Sequence, residues 1–239
     1  MAIFDRGRMG YGGNVFVCGK SGTVAAEDLA LGDAVTFPVT VNGTKADYEF
    51  FVVHQGKPSS LYDDSCDGTW LLATDVFPVT ATFNTADYST SGVAAAMATI
   101  YSGMDVSIKG GVKTVKVPYA YYVAGTGMVV NSGANGYQCN AFGISTREFG
   151  YTTLSDEADG TKLDYFNSVT DTQPQAIAKL GNVATAYFTR SGHMSGGGAR
   201  LGFRVTSSGG CVANTDDAYN VRPAIILNKK WRIRKSWLT

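Results

Sequence analysis

Apolar positions along the chain follow two rhythms. In LGFRVT, residues 201–206, Leu201, Phe203 and Val205 alternate with arginine, glycine and threonine, the period of two expected for a strand with one buried face. In YEFFVVH (48–54) and VRPAIIL (221–227) the apolar run is nearly continuous, which predicts strands covered on both faces. VTFPVTV (35–41) is broken by Pro38, so this strand belongs at an edge or a bulge. Asn42-Gly43 then turns the chain tightly into 48–54. Short strands are also expected at 14–18 and 186–192, and VKTVKVPY (112–119) carries apolar groups at 112, 115 and 117 before a proline.

One stretch has a helical period. Across residues 87–104, Val93, Met97, Ile100, Tyr101 and Met104 fall on one face, with Ser89, Thr90 or Ser91 available as the cap. A second, weaker helix is expected in 173–180, and VAAEDLAL (24–31) reads as a helical turn closed by Gly32. No internal repeat and no linker divides the chain. It reads as one α+β body over 21–228, with a Gly-rich arm at 1–20 and a basic tail at 229–239.

Composition supports this picture. Glycine makes up 29 of 239 residues, about 12% against a usual ~7%, and charged residues only 17%, so tight turns outnumber exposed charged helices. The net formal charge is zero, and no global field would draw the chain to nucleic acid or an anionic membrane. Charge is concentrated at the ends: KKWRIRK (229–235) holds five cations in seven residues, a solvated tail or a docking element for an acidic partner. Phe4, Arg6, Arg8 and Tyr11 in the arm, with Trp231 and Trp237 in the tail, are the candidate assembly residues. No secretory signal and no apolar run long enough for a membrane span is visible. Cys18, Cys66, Cys139 and Cys211 form no CxxC pair, and without an export signal they are expected as free buried thiols.

Catalytic and metal patterns fail on inspection. Asp63, Ser65, Asp67 and Gly68 imitate the start of a calcium loop, but the twelfth position is Thr74, which cannot supply the bidentate carboxylate; a structural turn is the better reading. Cys66 could pair with His54 or His193, yet His54 follows an apolar strand and His193 sits in RSGHMSGGG. The nucleophile elbow, zinc-protease and phosphate-loop motifs are missing from the sequence. No enzyme activity, cofactor or metal is expected. Residues 187–220 instead gather Tyr187, Arg190, His193, Arg200, Arg204, Asp216, Asp217 and Tyr219 among seven glycines, a composition suited to a recognition surface.

Two blocks carry a resemblance. FFVVHQGKPSSLYDDSCDGTWLL (50–72) and the ending AYFTRSG…LGFRVTSSGG…YNVRPAIIL resemble a domain family of unknown function found in Gram-positive gut bacteria and their phages. The likeness runs over roughly 20–228. It implies a C-type lectin-like domain, β-rich with one or two helices and long Gly-rich loops. In relatives the ending reads like WWLRSP; here Tyr-Phe-Thr-Arg-Ser stands in its place and Gly192 replaces the proline. The calcium-binding lectin motifs are missing, so calcium-dependent sugar binding is not implied. The resemblance points to a phage virion structural protein made in the host cytoplasm and displayed on the particle as a decoration, fibre or baseplate component. The arm would dock on other virion proteins or sister subunits in a homo-oligomer or larger assembly, and the 187–220 face would meet a host glycan or protein. The alternatives are a free carbohydrate- or protein-binding module and a cryptic enzyme of the formylglycine-generating type.

Overall fold

A computed structural model describes residues 22–85, 87–153, 158–194, 200–214 and 217–239. Two five-stranded sheets form its frame. The first runs, in spatial order, Ala141–Gly143, Pro223–Leu227, Gly68–Ala73, Thr44–Gly56, Ala34–Val41, and every neighbouring pair is antiparallel. The second runs Cys211–Asn214, Arg200–Val205, Tyr187–Met194, Tyr219–Val221, Phe77–Ala81, with one parallel pair, Tyr187–Met194 beside Tyr219–Val221.

The continuous apolar stretches 48–54 and 223–227 belong to the first sheet, both of whose faces are covered. Val35, Phe37, Val39, Phe50, Val52, Leu71 and Ile225 point into one core. Phe51, Val53, Trp70, Leu72, Ala224 and Ile226 point into another on the opposite face. Alternation therefore survives in the chain but separates two apolar layers instead of apolar from polar. Pro38 lies on the edge strand Ala34–Val41, as expected. Asn42 and Gly43 take φ of 49° and 78°, the left-handed pair that a tight two-residue hairpin demands.

The helix is shorter than its periodicity predicts. It spans Gly92–Gly103, and Ser91 caps it by accepting the Ala94 N–H at 3.1 Å. Upstream, Asp87 accepts from Ser89 N and closes a separate 3-10 turn at Tyr88–Thr90. A four-residue helix, Val106–Lys109, follows. The helix expected in 173–180 is a single 3-10 turn, Pro174–Ala176, and the chain then pairs as Lys179–Leu180 with Val183–Ala184. The Gln173 amide drives this difference by donating to the Phe149 and Asn167 carbonyls.

The segment 229–239, expected as a solvated tail, is part of the body. Arg232–Arg234 pairs antiparallel with Thr23–Ala25, and Ile233 is buried between them and the core. Trp231 lies over the bare backbone of Gly110 and Gly111, and Trp237 packs on Phe37 with ring centres 6.3 Å apart. Trp231 and Trp237 are thus half-buried intramolecular contacts, because alternate residues of KKWRIRK face the core while the cations face solvent. Phe4, Arg6, Arg8 and Tyr11 lie outside the described residues.

Candidate recognition face and the buried arginines beneath it

The Tyr187–Met194 strand occupies the middle of the second sheet, so its side chains reach the interior on both sides. Tyr187 and Arg190, expected on a displayed face, are fully buried. This corrects their assignment as ligand contacts. Arg190 donates from Nε to Pro118 O at 2.7 Å, and from its two terminal nitrogens to Gly143 O at 2.8 Å and Asp159 O at 3.0 Å. The same nitrogens form a two-pronged pair with Glu148, at 2.8 and 2.7 Å. Burial opposes the arginine's charge most strongly, but Glu148, Asp159 and Tyr62 together outweigh that opposition and hold the guanidinium protonated. Glu148 also accepts from Tyr62 Oη at 2.6 Å and from Ser145 N at 2.8 Å.

Asp159 completes the cluster less comfortably. Its Oδ2 accepts from Ser191 Oγ at 2.8 Å, while Oδ1 is buried without a hydrogen bond. Desolvation pushes its pKa up to about 6, although Arg190 and Ser191 pull the other way. One guanidinium thus faces two carboxyl groups in a closed interior.

A second buried arginine was not among the sequence candidates. Arg222 stands where the chain leaves Tyr219–Val221 in the second sheet and enters Pro223–Leu227 in the first. The Gly68–Ala73 strand makes the opposite passage, continuing into Phe77–Ala81. Arg222 binds the two crossings together. Its Nε donates to Ala73 O at 2.7 Å and a terminal nitrogen to Thr74 O at 3.0 Å. The other terminal nitrogen donates to Ala176 O and Tyr187 Oη, and the guanidinium stacks over Phe51 and Tyr187. The signal for Arg222 was present: it sits inside the apolar run VRPAIIL, where a buried arginine must be hydrogen-bonded; Arg190, in the mixed stretch FTRS, carried no such signal.

The surface retains a smaller group. The Arg204 guanidinium lies 4.5 Å from the centre of the Tyr219 ring, and the Tyr219 hydroxyl donates to Asp217 at 3.4 Å. Val212, opposite Arg204 on the next strand, is 40% exposed. His193 is half-buried against Phe203. Asp216 and the Arg200 side chain lie outside the described residues.

The Asp-rich stretch is a structural turn. Asp63 accepts Ser65 N at 2.9 Å, and the Ser65 hydroxyl, followed by this backbone bond, lowers the pKa of Asp63. Lys57 pairs with Asp64 and Lys229 with Asp67, both at 2.6 Å. Trp70 Nε1 donates to Gly56 O and Cys66 O, fastening the turn to its strand. The Cys66 thiol bonds to Lys116 O, and burial pushes its pKa up to about 12, so it is protonated at neutral pH and a poor nucleophile. His54 Nδ1 lies 2.8 Å from an Asp164 oxygen, and burial lowers its pKa. Among the described residues no group of three or more His, Cys, Asp or Glu is arranged to hold a metal ion. No helix among them is long and apolar enough to cross a membrane.

Neither curated proteins nor solved structures give a match to this chain. A family model does, over residues 67–229, which takes in both buried arginines, Glu148, Asp159 and the Arg204–Tyr219 cluster, and starts just after the 44–56 strand. With more than half of its length matched, the chain belongs to the domain family of unknown function DUF6273.

Proposed function

We propose that this protein is a non-catalytic recognition domain of C-type lectin-like type, displayed at the surface of a phage virion. The observation that carries the recognition reading is the division of the polar groups around the second sheet. Arg190, Arg222, Glu148 and Asp159 are closed into the interior and build a rigid support. Arg204, Tyr219, Asp217 and Val212 remain at its surface. A cation stacked on an aromatic ring beside a carboxylate and an exposed apolar side chain can engage a polar, ring-bearing ligand such as a glycan or a loop of a surface protein. The raised pKa of Cys66 argues against thiol chemistry of the formylglycine-generating kind. The virion location is proposed on the resemblance at 50–72 and 186–227 alone.

Two experiments test the reading. Immunogold electron microscopy on lysates of the source, with an antibody to residues 50–228, should label particles; label on none of them overturns the virion assignment and leaves a free binding module. Where label is found, binding of purified protein to host cells should fall at least about tenfold for Arg204→Ala or Tyr219→Ala, as expected for a recognition hot spot. Unchanged binding by both variants removes the recognition face from this sheet.

A further inference from the structure

One ribbon of this molecule has an open edge. The strands Tyr119–Val123 and Gly127–Asn131 pair in register from Tyr119 opposite Asn131 to Val123 opposite Gly127 and, among the described residues, with no third strand. A two-stranded ribbon alone is marginal in water, and an antiparallel ribbon at a surface ordinarily turns one polar face to solvent. This one has no such face. Tyr121 and Val129 share one side, and Tyr122 and Met128 share the other. Tyr122 is 41% exposed, and Tyr121, Met128, Val129 and Val130 are only half-buried. The base of the ribbon is anchored. Ala120 is buried, the Tyr119 ring packs edge-on against Tyr137 with centres 6.2 Å apart, and Asn131 donates to Tyr119 Oη at 2.9 Å. Alternate residues of Gly127–Asn131 bond to Tyr119–Val123, and the others turn their N–H and C=O to the open edge.

Two other edge strands are blunted. Ala34–Val41 and Phe77–Ala81 carry Pro38 and Pro78, and Pro38 O already accepts Asp105 N at 3.1 Å. Proline, lysine or an inward charge keeps an edge from pairing with another chain. Gly127–Asn131 has none of these. The whole run 117–146 contains no Asp, Glu, Lys, Arg or His, in a chain that is 17% charged.

The lack of charge selects the partner. In a two-fold contact the same patch meets itself, so a charge near the axis faces its own sign, which destabilises a strand pair. A strand that pairs with its own copy must therefore be uncharged near its centre. A partner recognised by its charge would instead require complementary charge on this strand, and there is none. We propose that Gly127–Asn131 pairs with the same strand of a second copy of this chain, antiparallel about a two-fold axis at Val129, so that two ribbons join into one four-stranded sheet. Main-chain bonds across the axis supply affinity, as in any strand addition. Val129 meets its counterpart on the axis, with Met128 opposite Val130 on either side. The proposal goes beyond the recognition reading and does not depend on it.

Sedimentation of the full chain tests the pairing. The wild type should dimerise reversibly with a dissociation constant of about 100 μM or tighter. Val129→Lys and Val129→Glu each set like charges against one another at the axis and should weaken the dimer at least about tenfold. An equimolar mixture of the two variants should recover it, because opposite charges then meet, and that recovery requires both variants to be folded. A readout without any substitution is amide exchange in the wild type: the edge-facing amides within residues 127–131 should exchange more slowly as protein concentration rises. A wild type that remains monomeric at about 100 μM overturns the proposal and leaves the edge to a different partner. Edge amides indifferent to concentration, Val129→Lys protein that dimerises as well as the wild type, or a mixture of folded variants that stays monomeric overturns it too.

Discussion

Replacing Arg190 by methionine separates a scaffold role from a ligand role. The variant keeps an unbranched apolar stem and deletes the charge. Three carbonyls, of Pro118, Gly143 and Asp159, lose a donor, and each orphaned buried group costs about 1–3 kcal/mol. Glu148 keeps Tyr62 and Ser145 but loses its counter-charge, and breaking a fully buried ion pair costs roughly 3–5 kcal/mol. These losses overlap, because both belong to one closed hydrogen-bonded cluster, so roughly 3–5 kcal/mol is the expected total. With a urea slope near 3 kcal/mol/M, the unfolding midpoint should fall by roughly 1–1.7 M. The double variant Arg190→Met/Glu148→Met should recover at least about 1 kcal/mol relative to the single one, since it removes the stranded charge as well. Urea unfolding followed by tryptophan fluorescence reads both, with Trp70 in the adjoining core. A midpoint shift below about 0.3 M for Arg190→Met, against a slope near 3 kcal/mol/M, would refute the structural reading.

Other expectations follow from the same interior and its edges. The folded pKa of Asp159, about 6, lies above the unfolded value near 3.9; the stability it contributes is present below about pH 4 and lost as pH rises through 6. Asp159→Asn should therefore lose less stability than the wild type between pH 4 and 7, by about 1–3 kcal/mol, and parallel curves would show that Asp159 does not titrate there. Burial holds the Cys66 and Cys139 thiols up at about 12; in a Cys18→Ser/Cys211→Ser background at pH 8 they should react with a disulfide reagent on the order of 10³-fold slower than in urea. Comparable rates in both conditions would place these thiols at the surface. A methyl group at Gly111 would collide with the Trp231 ring, so Gly111→Ala should lift the 229–239 segment and lower stability by roughly 1–3 kcal/mol. Trp231→Ala should cost a similar roughly 1–3 kcal/mol as a half-buried truncation, and a melting temperature unmoved by either change would mean that the segment does not dock.

The pattern of residues determined much of this protein. Continuous runs at 48–54 and 221–227 announced a sheet with two covered faces, Asn42-Gly43 set the hairpin, and Pro38 marked an edge; all are local consequences of backbone geometry and of which side chains avoid water. Ser91 was already among the named caps of a periodic helix, because capping is decided within one turn. The tertiary structure alone decided the rest. Whether Arg190 faces a ligand or the interior depends on carbonyls at Pro118, Gly143 and Asp159 and on Glu148, all more than 30 residues distant in the chain. The split of the 221–227 run into strands of two sheets at Arg222, and the docking of the basic segment through Trp231 and Ile233, likewise rest on contacts between distant parts of the chain. Periodicity reports which residues leave water, whereas hydrogen-bond partners for a buried charge are supplied by the fold.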